Sequence, residues 1–220
     1  MIVAAVPAKD LAQAKQRLVA VLTPAARADL ARAMLRDVLR ALTAAPLDAV
    51  WVVTRDPGVE AVARAAGVGV LPETENRGHT AAVALAQREA ARAGARCFLT
   101  VPGDVPCLTA EEIATLVGAA ADTDAAAVFT PSRSGLGTNG VALVPPGAMP
   151  LTFGEPSFEN HLAAARRHHL TPRVVPLPGL GLDVDGPEDL RALLRRGPHT
   201  ESGQLVASWR LETRPASARA

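Results

Sequence analysis

The amino-acid sequence predicts an α/β protein built on a parallel, doubly wound sheet. Short apolar runs without polar alternation recur along the chain, as is typical of strands that are buried on both faces. These runs alternate with amphipathic segments of helical spacing, which is the order of elements that a doubly wound sheet requires. The length of 220 residues suits one domain with a sizeable core.

The first half of the chain follows this alternation closely. Ile2 to Val6 is an apolar run stopped by Pro7, and it predicts a central strand. Thr23 and Pro24 have the residue types of an N-cap and a first helical position, and they predict a helix that runs to about Thr43. Further strands are predicted at 49–54, 68–71 and 97–101, and further helices at 57–66, 81–93 and 109–119.

The second half of the chain is less regular. It predicts strands at 125–130, 141–144, 173–175 and 182–184, a turn-rich loop at 131–140, and helices that end near residues 169 and 195. We take residues 1–196 as one domain. Residues 197–220 are polar and weakly patterned, so we expect them to form a poorly ordered C-terminal extension.

The composition excludes several classes of partner. The net charge of +1 and the absence of any run of like charges argue against a nucleic-acid groove or a polybasic membrane surface. Aromatic residues make up 3% of the chain, so base-stacking platforms are not expected either. No apolar run is long enough to span a membrane and no basic leader precedes the first strand, which predicts a cytoplasmic protein. In that reducing compartment, Cys97 and Cys107 are expected to be free thiols.

Two lysines are set apart from an arginine-rich background. Of the 23 basic residues only Lys9 and Lys15 are lysines, and both lie in the first loop, with Arg17 close behind. A lysine ammonium is a compact point charge that binds phosphate, whereas arginine presents a planar fork, so a chemical role would explain why these lysines are retained. Chance retention of two codons is the alternative for the lysines, and an ordinary solvated charge is the alternative for Arg17.

An acidic residue directly follows the apolar run at 97–101. Pro102-Gly103-Asp104 ends the predicted strand and brings a carboxylate to the carboxyl edge of the sheet, which is where open α/β sheets bind ligands. Alternatively, Asp104 caps a turn or the helix that begins near Thr109.

A second acidic pair, Asp183 and Asp185, follows the apolar residues of another predicted strand. If this pair and Asp104 lie on the same edge, their carboxylates repel one another, so we expect a cation to bind between them. Oxygen ligands that leave room for substrate phosphates suit Mg²⁺. The alternative for Asp185 is that it caps the helix beginning at Pro187.

Other familiar catalytic motifs are absent from the sequence. Neither Gly-Lys-Ser/Thr nor Gly-x-Ser-x-Gly occurs, and Gly135-Leu136-Gly137 lacks the third glycine of a dinucleotide fingerprint. The histidines, His161 among them, are scattered, and ordinary helix-surface roles are favoured for those near the predicted helix that ends at 169. The sequence is compatible with a nucleophile that is a phosphate on the substrate, because a phosphomonoester is already a dianion near neutral pH.

Five short motifs occur in a fixed order between residues 2 and 195. They are the loop from Val6 to Leu18, Val101-Pro102-Gly103-Asp104-Val105-Pro106, Gly135-Leu136-Gly137-Thr138-Asn139, Phe153-Gly154-Glu155-Pro156-Ser157-Phe158 and Asp183-Val184-Asp185-Gly186-Pro187. As a set they resemble the motifs of the CofC family, whose members are guanylyltransferases of coenzyme F420 biosynthesis and relatives of the MobA-like nucleotidyltransferases. Their acceptors are 2-phospho-L-lactate, phosphoenolpyruvate or 3-phosphoglycerate.

This resemblance implies a Rossmann-like, three-layer nucleotidyltransferase fold with a mixed, mostly parallel sheet. It implies Mg²⁺ on Asp104 with Asp183 or Asp185, and catalytic roles for Lys9, Lys15, Arg17 and Asp104. The implied contacts with GTP are Pro7, Ala8, Lys9, Lys15, Gly78, His79, Thr80 and Gly103. The implied contacts with the phosphorylated acid are Thr138, Asn139, Gly154 and Ser157.

The chain departs from the family pattern in one loop. Where the family usually has Gly-Leu-Asn, this sequence has Gly78-His79-Thr80, which leaves the identity of the base and of the acceptor open. Two alternatives follow: a MobA-like transferase with another acceptor, or a non-catalytic nucleotide-binding protein that kept the fold. The sequence also leaves a homodimer open.

Overall fold

Strands and helices alternate along most of the chain in the computed structural model, which describes residues 1–11, 14–75, 77–121 and 124–210. The strands are β1 (Ile2–Pro7), β2 (Ala49–Thr54), β3 (Gly69–Pro72), β4 (Cys97–Thr100), β5 (Ala126–Pro131), β6 (Thr138–Val144) and β7 (Pro172–Val174). The helices are α1 (Pro24–Ala44), α2 (Pro57–Ala65), α3 (His79–Arg92), α4 (Ala110–Ala121), α5 (Ser157–Arg167), α6 (Pro187–Arg196) and α7 (Glu201–Ser208), and a short 3₁₀ helix covers Gln16–Leu18.

The seven strands form one sheet in the order β3-β2-β1-β4-β6-β5-β7. β1 pairs in parallel with β2 and β4, and β2 pairs in parallel with β3. β6 is antiparallel to both of its neighbours, β4 and β5, and β7 is parallel to β5 at the edge. The prediction of a mixed, mostly parallel sheet is therefore confirmed.

Helices cover both faces of this sheet. Ala4 and Val6 of β1 belong to an apolar cluster that includes residues of α1, α2 and α4. Val3 and Ala5, which point the other way, belong to a second cluster with residues of α3 and α5. Full burial of a Val or Leu side chain contributes about 1.5–3 kcal/mol, so both faces stabilise the sheet. This burial on two sides explains why the strands show no polar alternation in sequence.

The direction of β6 determines which of its ends lies near the end of β4. Thr100, the last residue of β4, pairs with Val141, and Phe98 pairs with Leu143. Because the two strands run in opposite directions, the first residue of β6, Thr138, lies beyond the carboxyl end of β4. The sheet therefore brings the start of one strand and the end of another to the same edge.

One predicted strand is absent from the structure. Leu182 and Val184 are fully buried, but residues 182–184 pair with no strand within the described part of the chain. The Val184 N–H donates to the carbonyl oxygen of Asp104, in the turn after β4, at 3.1 Å. The prediction was wrong because an apolar run indicates only that a segment is buried. These residues are buried without pairing with a neighbouring strand.

The C-terminal extension is also corrected. Residues 201–208 form the helix α7, which packs on α1, and its Val206 is 1% exposed. Asp37 of α1 accepts hydrogen bonds from the backbone N–H groups of Glu201 and Ser202, both at 2.9 Å, so a buried carboxylate holds the start of this helix. The expectation of poor order is thus wrong for residues 201–208, and 211–220 lie outside the described residues.

Two further sequence predictions can be compared with the structure. Cys97 and Cys107 are free cysteines, as expected. Among the described residues there is no helix with the length and apolar composition needed to cross a membrane.

Candidate active site

Two cavities adjoin at the carboxyl edge of the sheet. The first, of about 750 Å³, extends from the loop after β1 to residues of α1, and the second, of about 530 Å³, extends to the start of β6 and the loop before α5. Residues that line both cavities are Lys9, His79, Pro102, Asp104 and Asp185. Two of the acidic residues predicted from the sequence, Asp104 and Asp185, therefore lie at the boundary between the two cavities.

Lys15 is held at this boundary in an unusual backbone conformation. It precedes the 3₁₀ helix with φ 56° and ψ 46°, the left-handed region that few non-glycine residues adopt. Its Nζ donates to Asp104 Oδ2 at 2.5 Å and to Asp185 Oδ1 at 3.0 Å, and its side chain is 7% exposed. Burial disfavours the ammonium, but the attraction of Asp104 and Asp185 outweighs it and raises the pKa of Lys15. Backbone strain at a charged, buried residue is typical of functional sites.

The other two predicted cations differ in their environment. Lys9 lines both cavities. Arg17 reaches Asp185 with an Nη1 to Oδ2 distance of 3.4 Å, but its side chain is 70% exposed. An ion pair exposed to this extent contributes little, so the alternative of a solvated surface charge stays open for Arg17.

Neither Asp104 nor Asp185 caps the helix that begins after it. Thr109 Oγ1 accepts a hydrogen bond from the Glu112 N–H and so takes the capping role at α4 instead of Asp104. At α6, Asp189 Oδ2 accepts from the Gly186 N–H at 2.8 Å and from the Asp185 N–H at 3.1 Å. The carboxylates of Asp104 and Asp185 are therefore directed towards Lys15.

Asp183 lies beside these two carboxylates in the second cavity. Its Oδ1 accepts a hydrogen bond from the Asn139 amide at 3.1 Å, and the same amide donates to the Leu180 carbonyl oxygen. Burial raises the pKa of the Asp183 carboxyl, the Asn139 hydrogen bond opposes this, and the charges of Asp104 and Asp185 add to the rise. The cluster is thus short of positive charge.

The donor set of this cluster fits Mg²⁺. The ion prefers oxygen ligands and commonly takes one or two carboxylates while phosphates and water complete its coordination. Asp104, Asp183 and Asp185 all line the second cavity and supply such oxygens. Within the described ranges, no group of three or more His, Cys, Asp or Glu side chains could hold a metal ion by itself.

The predicted contacts with the acid come together in the second cavity. Thr138, Asn139, Gly154 and Ser157 all line it. Ser157 is the first residue of α5, and its Oγ accepts a hydrogen bond from the Thr138 N–H at 3.0 Å. Gly154 has φ +128°, a conformation that L side chains rarely adopt, so a glycine is required there.

The predicted nucleotide contacts divide between the cavities. Pro7, Ala8, Lys15 and Gly103 line the first cavity, whereas Gly78 and Thr80 line the second, and His79 lines both. Thr80 is tied to the loop before α5, because its Oγ1 accepts a hydrogen bond from the Phe153 N–H at 2.9 Å. The Gly78-His79-Thr80 segment, which forms the N-cap and start of α3, is therefore grouped with the predicted acid contacts, and its role towards GTP stays a prediction.

Two histidines have environments that the sequence did not indicate. Burial lowers the pKa of His79 to about 4, against the attraction of Asp104, and its ring packs on Phe153 with centroids 4.5 Å apart. Burial likewise lowers the pKa of His161 to about 4. The expectation of a helix-surface role for His161 is wrong, since it is 1% exposed. His161 lies four residues after Ser157, which is the first residue of α5 and a predicted contact with the acid. This spacing was the signal that the sequence offered for a role of His161 near the site.

The fold is similar to that of solved structures described as nucleotide-diphospho-sugar and nucleotidyl transferases. The structure is similar to a proposed nucleotide-diphospho-sugar transferase from Desulfovibrio desulfuricans, with a TM-score of 0.77 at 16% identity over 94% of each chain. It is also similar to a nucleotidyl transferase from Methanothermobacter thermautotrophicus, with a TM-score of 0.66 at 16% identity over 89% of this chain and 96% of the other. At these identities the similarities establish the fold.

The family follows from the sequence comparisons. The family model described as "Guanylyl transferase CofC like" matches residues 2–220, and the chain belongs to this family. It is 42% identical to a phosphoenolpyruvate guanylyltransferase of Rubrobacter xylanophilus, over 88% of this chain and 94% of the relative. It is 33% identical to a 2-phospho-L-lactate guanylyltransferase of Methanothermobacter thermautotrophicus, over 97% and 93%. The predictions of the family and of a guanylyltransferase are confirmed.

Proposed function

We propose that this enzyme transfers GMP from GTP to a phosphorylated three-carbon acid, with release of pyrophosphate, as a step of coenzyme F420 biosynthesis. The observation that carries the proposal is the meeting of two cavities at Asp104 and Asp185, with Lys15 in the first cavity, buried hydroxyls in the second and Lys9 in both. The names of the relatives, which act on phosphoenolpyruvate and 2-phospho-L-lactate, support this choice of acceptor.

In the proposed complex GTP occupies the first cavity. A volume of about 750 Å³ is within the range of small-molecule sites. Lys9 and Lys15 meet the charge of the triphosphate, which is the interaction that a point-charge ammonium makes well. The backbone from Pro7 to Lys9 and Gly103 lines the same space and can approach the nucleotide closely.

The acid occupies the second cavity in the same proposal. Thr138 and Ser157 supply hydroxyl groups, and the N-terminus of α5 adds backbone N–H groups that favour an anion. The acceptor phosphate then lies at the junction, near Asp104 and Lys9, where it can reach the α-phosphorus of GTP.

We infer that Asp104, with Asp183 or Asp185, holds Mg²⁺ together with phosphate oxygens. When bound, the ion neutralises the phosphate charge that the lysines leave uncompensated. Lys15 bridges Asp104 and Asp185 in the structure and keeps the two carboxylates close together. Asn139 orients Asp183 towards them through its amide.

The proposed reaction is an in-line transfer. An oxygen of the acceptor phosphate forms a bond to the α-phosphorus of GTP, the bond from that phosphorus to the bridging oxygen of the β-phosphate breaks, and pyrophosphate leaves with the electron pair. The acceptor phosphate has a second pKa of about 6, so at neutral pH it is a dianion and no general base is required. Catalysis then consists of positioning and charge neutralisation by the residues described above.

Pyrophosphate release tests the proposal directly. The protein is incubated with GTP, Mg²⁺ and, in separate reactions, phosphoenolpyruvate, 2-phospho-L-lactate, 3-phosphoglycerate and 2-phosphoglycerate, with ATP and CTP as controls for the base. We expect release with GTP and at least one acid, and a product with the mass of the guanylylated acid. Nucleotide binding without release in every reaction would contradict the proposed function.

A further inference from the structure

A buried polar cluster lies behind the second cavity. His161, Thr138 and Ser157 are 1%, 7% and 3% exposed, and Thr138 and Ser157 line the cavity while His161 lies behind them. Two aromatic rings confine the imidazole: Phe129 is stacked on it at 5.7 Å between centroids, and Phe153 meets it edge-on at 5.0 Å. The His161 ring therefore has little freedom to turn.

The hydrogen bonds of His161 determine which ring nitrogen carries the proton. The backbone N–H of Thr152 donates to Nε2 at 3.1 Å, and because an amide N–H can only donate, Nε2 must be unprotonated. A neutral imidazole carries its one proton on the other nitrogen, Nδ1, which lies 2.9 Å from Thr138 Oγ1. The Nδ1–H group therefore donates to the Thr138 hydroxyl oxygen.

This tautomer leaves the Thr138 hydroxyl proton without an acceptor in the described part of the chain. The proton cannot point at Nδ1, which has no lone pair, and no described residue accepts a hydrogen bond from Oγ1. Ser157 is in the same situation, because its Oγ accepts the Thr138 N–H and its own proton has no acceptor among the described residues. Both protons are available to the cavity that the two hydroxyls line.

Two buried hydroxyl donors at a helix N-terminus form a site for an oxyanion. α5 has 11 residues and begins at Ser157, and its N-cap, Pro156, makes no side-chain capping hydrogen bond. The first-turn N–H groups and the helix dipole add to the preference for negative charge. A buried donor without an acceptor costs free energy, which an incoming oxyanion recovers.

We propose that His161 is a positioning residue for the acceptor acid: its Nδ1–H fixes the Thr138 hydroxyl as a donor, so that Thr138 and Ser157 together bind an oxyanion of the acid. This inference rests on the proposed function for the identity of the acid. The carboxylate and the phosphate of the acid share the chemistry that the two donors recognise. His161 itself touches no substrate.

Kinetics of three variants test the proposal. His161→Phe keeps a ring between Phe129 and Phe153 but removes the donor, His161→Asn offers an amide N–H near the position of Nδ1, and Thr138→Val removes the hydroxyl. We expect His161→Phe to raise KM for the acid about tenfold while KM for GTP and kcat change little, because one hydrogen bond to a charged group is weakened. His161→Asn should recover most of that loss.

A double-variant cycle separates positioning from a general structural role. If His161 acts through the Thr138 hydroxyl, adding His161→Phe to Thr138→Val raises KM for the acid no further. Three results would each overturn the proposal. They are a KM for the acid in the double variant equal to the product of the two single effects, a rise of KM for GTP as large as that for the acid, and a His161→Asn variant as impaired as His161→Phe. Inhibition by pyruvate, which carries the carboxylate, and by inorganic phosphate is then measured for the wild type and for Thr138→Val. The inhibitor that binds Thr138→Val more weakly than the wild type identifies the group of the acid that the two hydroxyls bind.

The tautomer can be measured without turnover. Nitrogen-15 NMR of the labelled wild-type protein, with His161→Asn to assign the signal, should show His161 protonated on Nδ1 and unprotonated on Nε2 near pH 7. The opposite tautomer would overturn the proposal even if His161→Phe failed to fold. Failure of the proposed function is a different result, since the wild type would then release no pyrophosphate with any acid.

Discussion

Two regions of this protein hold carboxylates and compensate their charge to different degrees. Asp37, whose side chain is 2% exposed, accepts hydrogen bonds from two backbone N–H groups of α7, from the Ser202 hydroxyl at 2.7 Å and from Arg40 at 3.0 Å. Asp104 and Asp185 share the ammonium of Lys15, and Asp183 beside them has a raised pKa. The saturated carboxylate joins two helices, whereas the cluster that is short of positive charge is the one at which we propose that Mg²⁺ binds.

The largest effect is expected where a carboxylate of the cluster is neutralised. Asp104→Asn keeps the shape of the side chain but removes its charge, so we expect pyrophosphate release to fall by about 10²- to 10³-fold, as for other losses of preorganised charge. The protein should stay folded, because the Asp104 side chain is 30% exposed and Asp185 still pairs with the buried Lys15 ammonium. Normal turnover in this variant would remove Asp104 from the site.

Lys15 tests the cation of the same cluster. Lys15→Met keeps the length of the side chain and removes its charge, and we expect turnover to fall roughly 10²-fold, with a raised KM for GTP, because the phosphates lose a positioned charge. Lys15→Arg is the matched control that keeps the charge at a site where the lysine is only 7% exposed. Recovery of less than half of the loss by arginine would show that compactness matters as well as charge.

Asp37 tests the saturated region. Asp37→Ala leaves the α7 N–H groups and Arg40 without their acceptor, and we expect the free energy of unfolding to fall by ~3 kcal/mol. Asp29→Ala is the control, since Asp29 pairs with Arg32 at 2.6 Å on an exposed face of α1 and should cost under ~0.5 kcal/mol. Urea denaturation measures both. Turnover per folded molecule should be unchanged in Asp37→Ala, and a large loss would mean that α7 takes part in the site.

Neutralising Asp183 should raise the free energy of unfolding, whereas Asp37→Ala should lower it. The folded-state pKa of Asp183 is raised above 3.8, so the native state binds more protons in that window and stability falls as pH rises through it. Asp183→Asn removes this fall, and in EDTA at pH 7 we expect the variant to be more stable than the wild type, with the difference vanishing below about pH 3.8. Calorimetry from pH 3.5 to 8 measures this difference in stability. For a chain of this size, each kcal/mol of stability shifts Tm by ~2–4 °C. A less stable Asp183→Asn at pH 7 would contradict the charge shortage described here.

The smallest effect is expected at the exposed rim of the cluster. Arg17 pairs with Asp185 at 3.4 Å while 70% exposed, so Arg17→Ala should raise KM for GTP by about threefold, with little change in kcat. Steady-state kinetics at two salt concentrations separate a screened surface charge from a specific contact. A loss above about tenfold that salt does not reduce would make Arg17 part of the catalytic machinery.

The first half of the fold was predictable because its signals are local. The Thr23 side chain accepts a hydrogen bond from the Ala26 N–H, as expected for the N-cap of α1, and each apolar run before residue 101 forms a strand. Pro102-Gly103-Asp104 predicted an acid at the sheet edge for the same reason, since a strand and the turn that ends it are adjacent in sequence.

The rest could not be predicted because it depends on partners far away in sequence. α7 begins where Asp37 accepts its N–H groups, and those bonds span more than 160 residues. The buried role of His161 depends on Thr138, 23 residues earlier, and on Thr152. A single sequence shows the residue types of such pairs but not their contact, and an exposed helix residue looks the same as a buried one.

The reversed strand β6 gives the active site two walls of separate origin. The wall at the lysines is made where parallel strands end, and the wall at Thr138 is made where an antiparallel strand begins. Insertions or substitutions in the turn between β5 and β6 would therefore reshape one wall and leave the other wall's backbone unaltered. Under the proposed assignment of GTP to the wall at the lysines and of the acid to the wall at Thr138, the acceptor can change while the nucleotide donor stays the same.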